Sequence, residues 1–206
     1  MTRIQPVSSP EVAEEALAHL TRGEVIVVPT DTVYGLAAVA ESTAISKLYD
    51  LKQRPEDMAI AVLASSIESA ADLITITHQV QVLADAFWPG PLTIVAHSTP
   101  TAPANLGKQT AATIGVRVPA DDFIQALTAS SPLAVTSANL HGQPTPPTAQ
   151  EVADLFPDIP LVIDAGTLDN EASTVVDATQ TPPQILRPGP LTSEDIQNIY
   201  RRKMSW

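Results

Sequence analysis

Thr30, Asp31, Thr32 and Tyr34 place two hydroxyls, a carboxylate and a phenol within one short stretch, Pro29-Thr30-Asp31-Thr32-Val33-Tyr34-Gly35-Leu36. The stretch follows Glu24-Val25-Ile26-Val27-Val28, an apolar run that predicts a buried strand. Ligands of open α/β sheets gather at the ends of such strands. A polar turn after a strand would look the same, so the weight falls on what else sits beside predicted elements. Lys52-Gln53-Arg54, Arg117, Ser137-Ala138-Asn139 and Arg187 all do. Separated cations with hydroxyl and amide donors suit binding and activation of an anionic substrate. Phosphoryl or nucleotidyl transfer can run on positioning and charge stabilisation without a protein nucleophile. A phosphate-binding regulator could carry the same pieces. Ser137 lacks the Gly-x-Ser-x-Gly turn of a nucleophile elbow.

The charge distribution sharpens this. The 206 residues carry a net charge of -12, which argues against a broad basic surface for nucleic acid while leaving room for a local positive cleft. Between Gly23 and Tyr200 the cations are Lys47, Lys52, Arg54, Lys108, Arg117 and Arg187. Either these pair with the chain's own acids or several of them bind anions. Cysteine is absent, which excludes disulfides, thiolate catalysis and cysteine zinc sites. His78 and His97 lack metal-ligand spacing. No run approaches a membrane span, and the N-terminal residues lack the apolar core of a signal peptide. The expectation is a cytoplasmic protein with no membrane association.

The elements that must position these residues follow from the pattern. Ser9-Pro10-Glu11 reads as a helix start, and Gly23 as its end. A helix from Ser42 or Thr43 delivers Lys52 and Arg54 at its accessible end, before Pro55. Strands are expected over 58–63, 92–96, 113–119, 133–136, 161–163 and 173–177, and helices over 66–73, 77–87 and 122–127. Residues 98–112 read as a long loop. Thr148-Ala149-Gln150-Glu151 matches a capping box ahead of a helix, and a last helix ends in Arg201-Arg202-Lys203. Arg117 lies in an apolar alternating strand, which implies burial opposite an anion. The chain is read as one α/β domain over 1–206, an open twisted mixed sheet with flanking helices around a concave anion-binding cavity.

Seven segments, in order, resemble the YrdC/Sua5 family of threonylcarbamoyl-AMP synthases in its short, single-domain form: Pro29–Leu36, Lys52-Gln53-Arg54-Pro55, Trp88-Pro89-Gly90-Pro91-Leu92-Thr93, Val116-Arg117-Val118-Pro119, Ser137-Ala138-Asn139, Ser173-Thr174-Val175-Val176-Asp177 and Leu186-Arg187-Pro188-Gly189. The matching core covers about 24–189, and no additional C-terminal domain is expected. The resemblance implies an enzyme that uses ATP, L-threonine and bicarbonate or carbon dioxide to make threonylcarbamoyl-AMP and pyrophosphate. Other machinery would then transfer the group to adenosine 37 of tRNA. Mg2+ is expected with ATP, and direct tRNA binding is expected to be weak. The resemblance puts Thr32, Tyr34, Arg117, Ser137 and Ser173 on the threonine side. It puts Lys52, Arg54, Met58, Asn139 and Arg187 on the ATP side, with Lys52, Arg54 and Arg117 catalytic. Met58 and Leu63 depart from the Asn and His of many long-form relatives. Two alternatives stay open: a non-enzymatic RNA-binding or ribosome-associated module of the same fold, and a different carbamoyl- or adenylate-forming enzyme.

Overall fold

A computed structural model describes residues 2–53, 55, 58–103, 106 and 112–204, and for Met204 the backbone alone. Among these residues ten strands form one mixed sheet: β1 (Arg3–Pro6), β2 (Ile26–Val28), β3 (Gly35–Val39), β4 (Ala61–Leu63), β5 (Leu92–His97), β6 (Thr113–Arg117), β7 (Leu133–Ser137), β8 (Leu161–Asp164), β9 (Thr174–Asp177) and β10 (Gln184–Arg187). Their order across the sheet is β1-β8-β2-β3-β7-β4-β6-β5-β9-β10, with β1 and β10 as open edges. Seven helices flank it: α1 (Val12–Thr21), α2 (Ser42–Lys52), α3 (Ile67–Ala71), α4 (His78–Phe87), α5 (Asp122–Thr128), α6 (Ala149–Leu155) and α7 (Ser193–Met204).

The period of two along each strand sorts side chains onto two faces. On one face Val27, Leu36, Ala38, Val62, Ile94, Val116, Ala134 and Val176 join a continuous core with residues of α2, α3, α4, α6 and α7. On the other, Ile26, Val28, Ala37, Leu133, Val135, Leu161 and Ile163 meet Val12, Ala16 and Leu20 of α1 and Ile124 and Leu127 of α5. This second cover stops at Leu63 of β4. Beyond it, the same face of β6, β5 and β9 presents Thr113, Gly115, Arg117, Thr93, Val95, Val175 and Asp177, all lining a cavity. A row of small, polar and charged groups offers no apolar stripe for a helix to bury. The sheet is therefore covered on half of this face and open on the rest.

Several expectations shift at element ends. Ser9 does not cap α1, whose first turn is preceded by Glu11 without a side-chain cap. Ser66, Thr77, Asp121 and Thr148 do cap α3, α4, α5 and α6, each accepting a backbone N–H three residues on. The Thr148 hydroxyl also donates to the Glu151 carboxylate at 2.9 Å, so Glu151 meets the cap through that hydroxyl. Gly23 closes α1 with φ +68, a conformation that favours glycine. The edge strands β1 and β10 and the strand β3 are additions to the sequence-based reading. Of the expected loop 98–112, residues 104, 105 and 107–111 lie outside the described residues, Lys108 among them.

Candidate active site

The opening stretch is a knot of hydroxyl bonds. The Thr30 hydroxyl donates to the Val33 carbonyl at 2.7 Å and accepts from the backbone N–H groups of Thr32 and Val33, each at 3.1 Å. Thr30 thus turns the chain from β2 back into β3 and leaves Thr32 pointing toward β6. Gly35 permits this return, since a Cβ there would come within 2.7 Å of Val135 Cγ1. Tyr34 is fully buried. It lines the cavity, but its hydroxyl donates to the Gly166 carbonyl at 2.7 Å and accepts from Ala165 N at 3.0 Å, on the turn after β8. Burial pushes its phenol above the ordinary tyrosine range, the Ala165 N–H opposing this. The hydroxyl of Tyr34 therefore fixes the turn after β8.

Arg117 is 4% exposed. Its Nε donates to the Gly90 carbonyl at 2.9 Å, Nη1 donates to Thr32 Oγ1 at 3.1 Å, and Nη2 is paired with Asp31. The other Asp31 oxygen accepts from Ala120 N at 3.1 Å. The expected buried anion thus exists inside the protein, as the third residue of the motif. Burial lowers the pKa of Arg117, with Asp31 opposing. A guanidinium carries five N–H groups. Three have acceptors among the described residues, which leaves donor capacity at a cavity wall. The Trp88–Leu92 turn supplies the Gly90 acceptor, and it is clamped by Trp88 Nε1 donating to the Leu92 carbonyl at 2.7 Å and by Gly90 N donating to the Val118 carbonyl at 2.8 Å.

Lys52 corrects an expectation. It is 2% exposed rather than accessible at the end of its helix. Its ammonium donates to the Ser137 carbonyl at 2.6 Å, the Ser137 hydroxyl at 2.9 Å and Asn139 Oδ1 at 2.8 Å. Desolvating an ammonium is costly unless its donors are satisfied, and the Ser137-Ala138-Asn139 turn satisfies it. Asn139 Nδ2 in turn donates to the carbonyls of Leu140 and Gln143 at 2.8 and 2.6 Å, holding the next turn.

At the opposite wall, Arg187 donates through Nη2 to the Ser173 carbonyl at 2.7 Å and to the Ser173 hydroxyl at 3.0 Å. The Ser173 hydroxyl also meets that of Thr93 at 2.9 Å. Gly189 allows this contact, because a Cβ there would lie 2.4 Å from Thr174 N. The cavity between these walls measures about 500 Å³, within the usual range for small-molecule sites. It is lined by Thr32, Tyr34, Arg117, Ser137, Ser173 and Arg187. Lys52 and Asn139 stand behind Ser137. Met58 is exposed outside the lining, and Arg54 lies outside the described residues.

Thr93, Gly115 and Asp177 line this cavity without a role assigned from sequence, and Asp31, noted there as the carboxylate of the motif, was given no partner. Asp31 had a signal: an arginine in an apolar strand demands a buried anion, and Asp31 is the acid of the hydroxyl-rich motif. Gly115 had another, since glycine inside a strand marks a bulge or a close approach.

Such a fold and site define an α/β protein with a hydroxyl- and guanidinium-lined cavity on an open sheet face. The Sua5_yciO_yrdC family model, described as "Telomere recombination", matches residues 18–189, and the chain belongs to that family. It is 36% identical over 192 residues to the threonylcarbamoyl-AMP synthase of Pyrococcus abyssi, covering 89% of this chain and 56% of that protein. It is 35% identical over 189 residues to a putative threonylcarbamoyl-AMP synthase of Mycobacterium tuberculosis, covering 89% of this chain and 87% of that protein. The crystal structure of P. abyssi Sua5 complexed with L-threonine superposes with a TM-score of 0.89 at 32% identity, over 97% of this chain and 60% of that one.

Proposed function

We propose that this chain is an ATP-dependent nucleotidyltransferase that makes L-threonylcarbamoyl-AMP from L-threonine and bicarbonate or carbon dioxide, releasing pyrophosphate. One observation carries the reading: a single cavity joins Arg117, with donor capacity to spare, to the hydroxyls of Thr32, Ser137 and Ser173 and to Arg187. The amine of threonine adds to carbon dioxide, or to bicarbonate with loss of water, giving a carbamate. A carbamate oxygen then attacks the α-phosphorus of ATP, and the bond to the β-phosphate oxygen breaks to release pyrophosphate. Arg117 holds the carboxylate or carbamate by a charge-assisted pair. Thr32, Ser137 and Ser173 orient threonine. Arg187 and Arg54 neutralise phosphate charge, as does Lys52 through the turn it holds with Asn139. Their value lies in preorganisation, since the donors are fixed before substrate arrives.

Among the described residues no group of three His, Cys, Asp or Glu side chains stands ready to hold a metal. Mg2+ would enter as a companion of the ATP phosphates. Among the described residues no helix is long and apolar enough to cross a membrane. In this reading the product passes to a tRNA threonylcarbamoyl-transfer machinery in the cytoplasm. Direct tRNA binding is weak, because a net charge of -12 repels a polyanion.

The test is incubation with ATP, labelled bicarbonate and single amino acids. Pyrophosphate and threonylcarbamoyl-AMP should appear with L-threonine and depend on bicarbonate. Equal turnover with glycine, serine and threonine would refute the assigned amino-acid specificity. Threonine-independent, strongly salt-dependent RNA binding without turnover would favour a binding module instead.

A further inference from the structure

Gly115 is a glycine in the interior of a strand near the middle of the sheet, where glycine weakens pairing and is normally avoided. Backbone geometry does not explain it. Gly115 is absent from the positive-φ glycines, and β6 pairs with β5 in unbroken register from Thr113 to Val116. Space does explain it. Gly115 lies on the cavity side of β6, between Thr113 and Arg117, and a Cβ there would sit 3.1 Å from the Cγ2 of Thr93 and 3.6 Å from the Cγ2 of Val95. The floor at this point consists of bare backbone beside two methyl groups of β5. It stands two residues, about 7 Å along the strand, from Arg117, whose remaining donors suit a carboxylate. The Thr93 hydroxyl is turned away to Ser173, so the apolar side of Thr93 faces Gly115.

We propose that Gly115, with the methyls of Thr93 and Val95, forms the seat for the side-chain methyl of the amino-acid substrate and is a specificity-determining position. The inference rests on the synthase reading and adds to it which atoms separate threonine from serine. Arg117 takes the carboxylate end, and the depth left by the absent Cβ accepts a β-branched side chain. A single methyl in an apolar pocket gives roughly 10-fold or greater discrimination.

Two variants test this. Gly115→Ala fills the seat. Thr93→Ser removes one wall methyl, keeps the hydroxyl that meets Ser173 and introduces no crowding. Each is assayed for the ratio of kcat/KM with threonine to that with serine, for threonine and serine binding without ATP, and for KM of ATP. The expected result is a fall of about 10-fold in the threonine-to-serine ratio for both variants, in binding as in turnover, with the KM of ATP unchanged. Equal losses for threonine and serine would overturn the seat, as would a rise confined to the KM of ATP, which would assign the floor to the nucleotide. If Gly115→Ala fails to fold, Thr93→Ser decides alone. Wild-type protein that binds threonine in preference to serine but releases no pyrophosphate would refute the synthase reading and leave the seat standing. Normal wild-type turnover with unchanged ratios in the variants would refute the seat alone.

Discussion

The two halves of one sheet face have opposite fates. Over β8, β2, β3 and β7 the outward residues include Leu161, Ile163, Ile26, Val28, Ala37 and Leu133, and α1 and α5 bury them. Over β6, β5 and β9 they are Thr113, Gly115, Arg117, Thr93, Val95, Val175 and Asp177, and they line a cavity. The reverse side of both halves packs on the same continuous core. A strand therefore contributes to stability with one alternate set of side chains and to a site with the other. Full burial of a Val or Leu contributes about 1.5–3 kcal/mol, so the covered half and the reverse core can support an open half that forgoes such burial.

The largest expected effect lies where the comparison is least clean. Arg117 sits in the open half but is buried like a core residue and paired with Asp31, whose side chain is also largely buried. Arg117→Ala should cost about 3–5 kcal/mol, because it strands the Asp31 charge, and should abolish turnover. Arg117→Lys keeps the charge but loses the planar fork and should lower threonine-dependent turnover roughly 10-fold or more. Urea unfolding alongside threonine kinetics separates the two contributions. An alanine variant of wild-type stability would show that the internal pair carries no structural weight.

In the covered half, Leu127→Ala should destabilise by about 2–5 kcal/mol through cavity formation. The KM values for threonine and ATP should be unchanged at temperatures where the variant stays folded. Altered KM values would break the separation of the two halves. Lys52→Ala should fall between these behaviours. It removes three hydrogen bonds from the Ser137–Asn139 turn and leaves buried acceptors, costing about 1–3 kcal/mol. Its KM for ATP should rise as well. Wild-type melting with impaired turnover would return Lys52 to a purely ligand-facing role.

The smallest effect concerns pH. Asp121 caps α5 beside the Arg117–Asp31 pair, and burial raises its pKa, with the Ile124 N–H opposing and Asp31 adding to the rise. A raised folded-state pKa means the folded protein binds this proton more tightly than the unfolded chain does. Its contribution favours folding below the unfolded value and is lost as pH rises through the folded value. Asp121→Asn retains a capping oxygen and removes that titration. The melting temperature of the variant minus that of the wild type should become more positive as pH rises from the ordinary aspartate range through the raised value. A difference that stays flat would show that Asp121 titrates alike in both states.

Much of the fold was legible because it is local. The apolar runs at 92–96, 113–119, 133–136 and 161–163 and the Thr148 cap depend on neighbours within a few residues. β1, β10 and β3 were harder to read, since the first two are four-residue edges and the third continues a polar motif without a break. Of the residues read as a site, Thr32, Tyr34, Arg117, Ser137, Ser173 and Arg187 line one cavity, whereas Lys52, Asn139 and Met58 do not. Their internal wiring was not legible, because the acid that pairs with Arg117 and the turn that absorbs Lys52 are 86 and 85 residues away in the chain.

By itself the sequence determined the alternation that builds a two-faced sheet, most of the helix caps and punctuation, the scarcity of cations, and the types of group available to an anionic substrate. These follow from properties carried by single residues and their near neighbours. Only the tertiary structure decided that Lys52 faces Ser137 and Asn139 rather than solvent, that Arg117 is braced by Asp31 and Gly90, and that Gly115 leaves bare backbone beside the methyls of Thr93 and Val95. Each depends on strand order and register, which bring distant segments within bonding distance and set which face of every strand meets a helix and which meets a ligand.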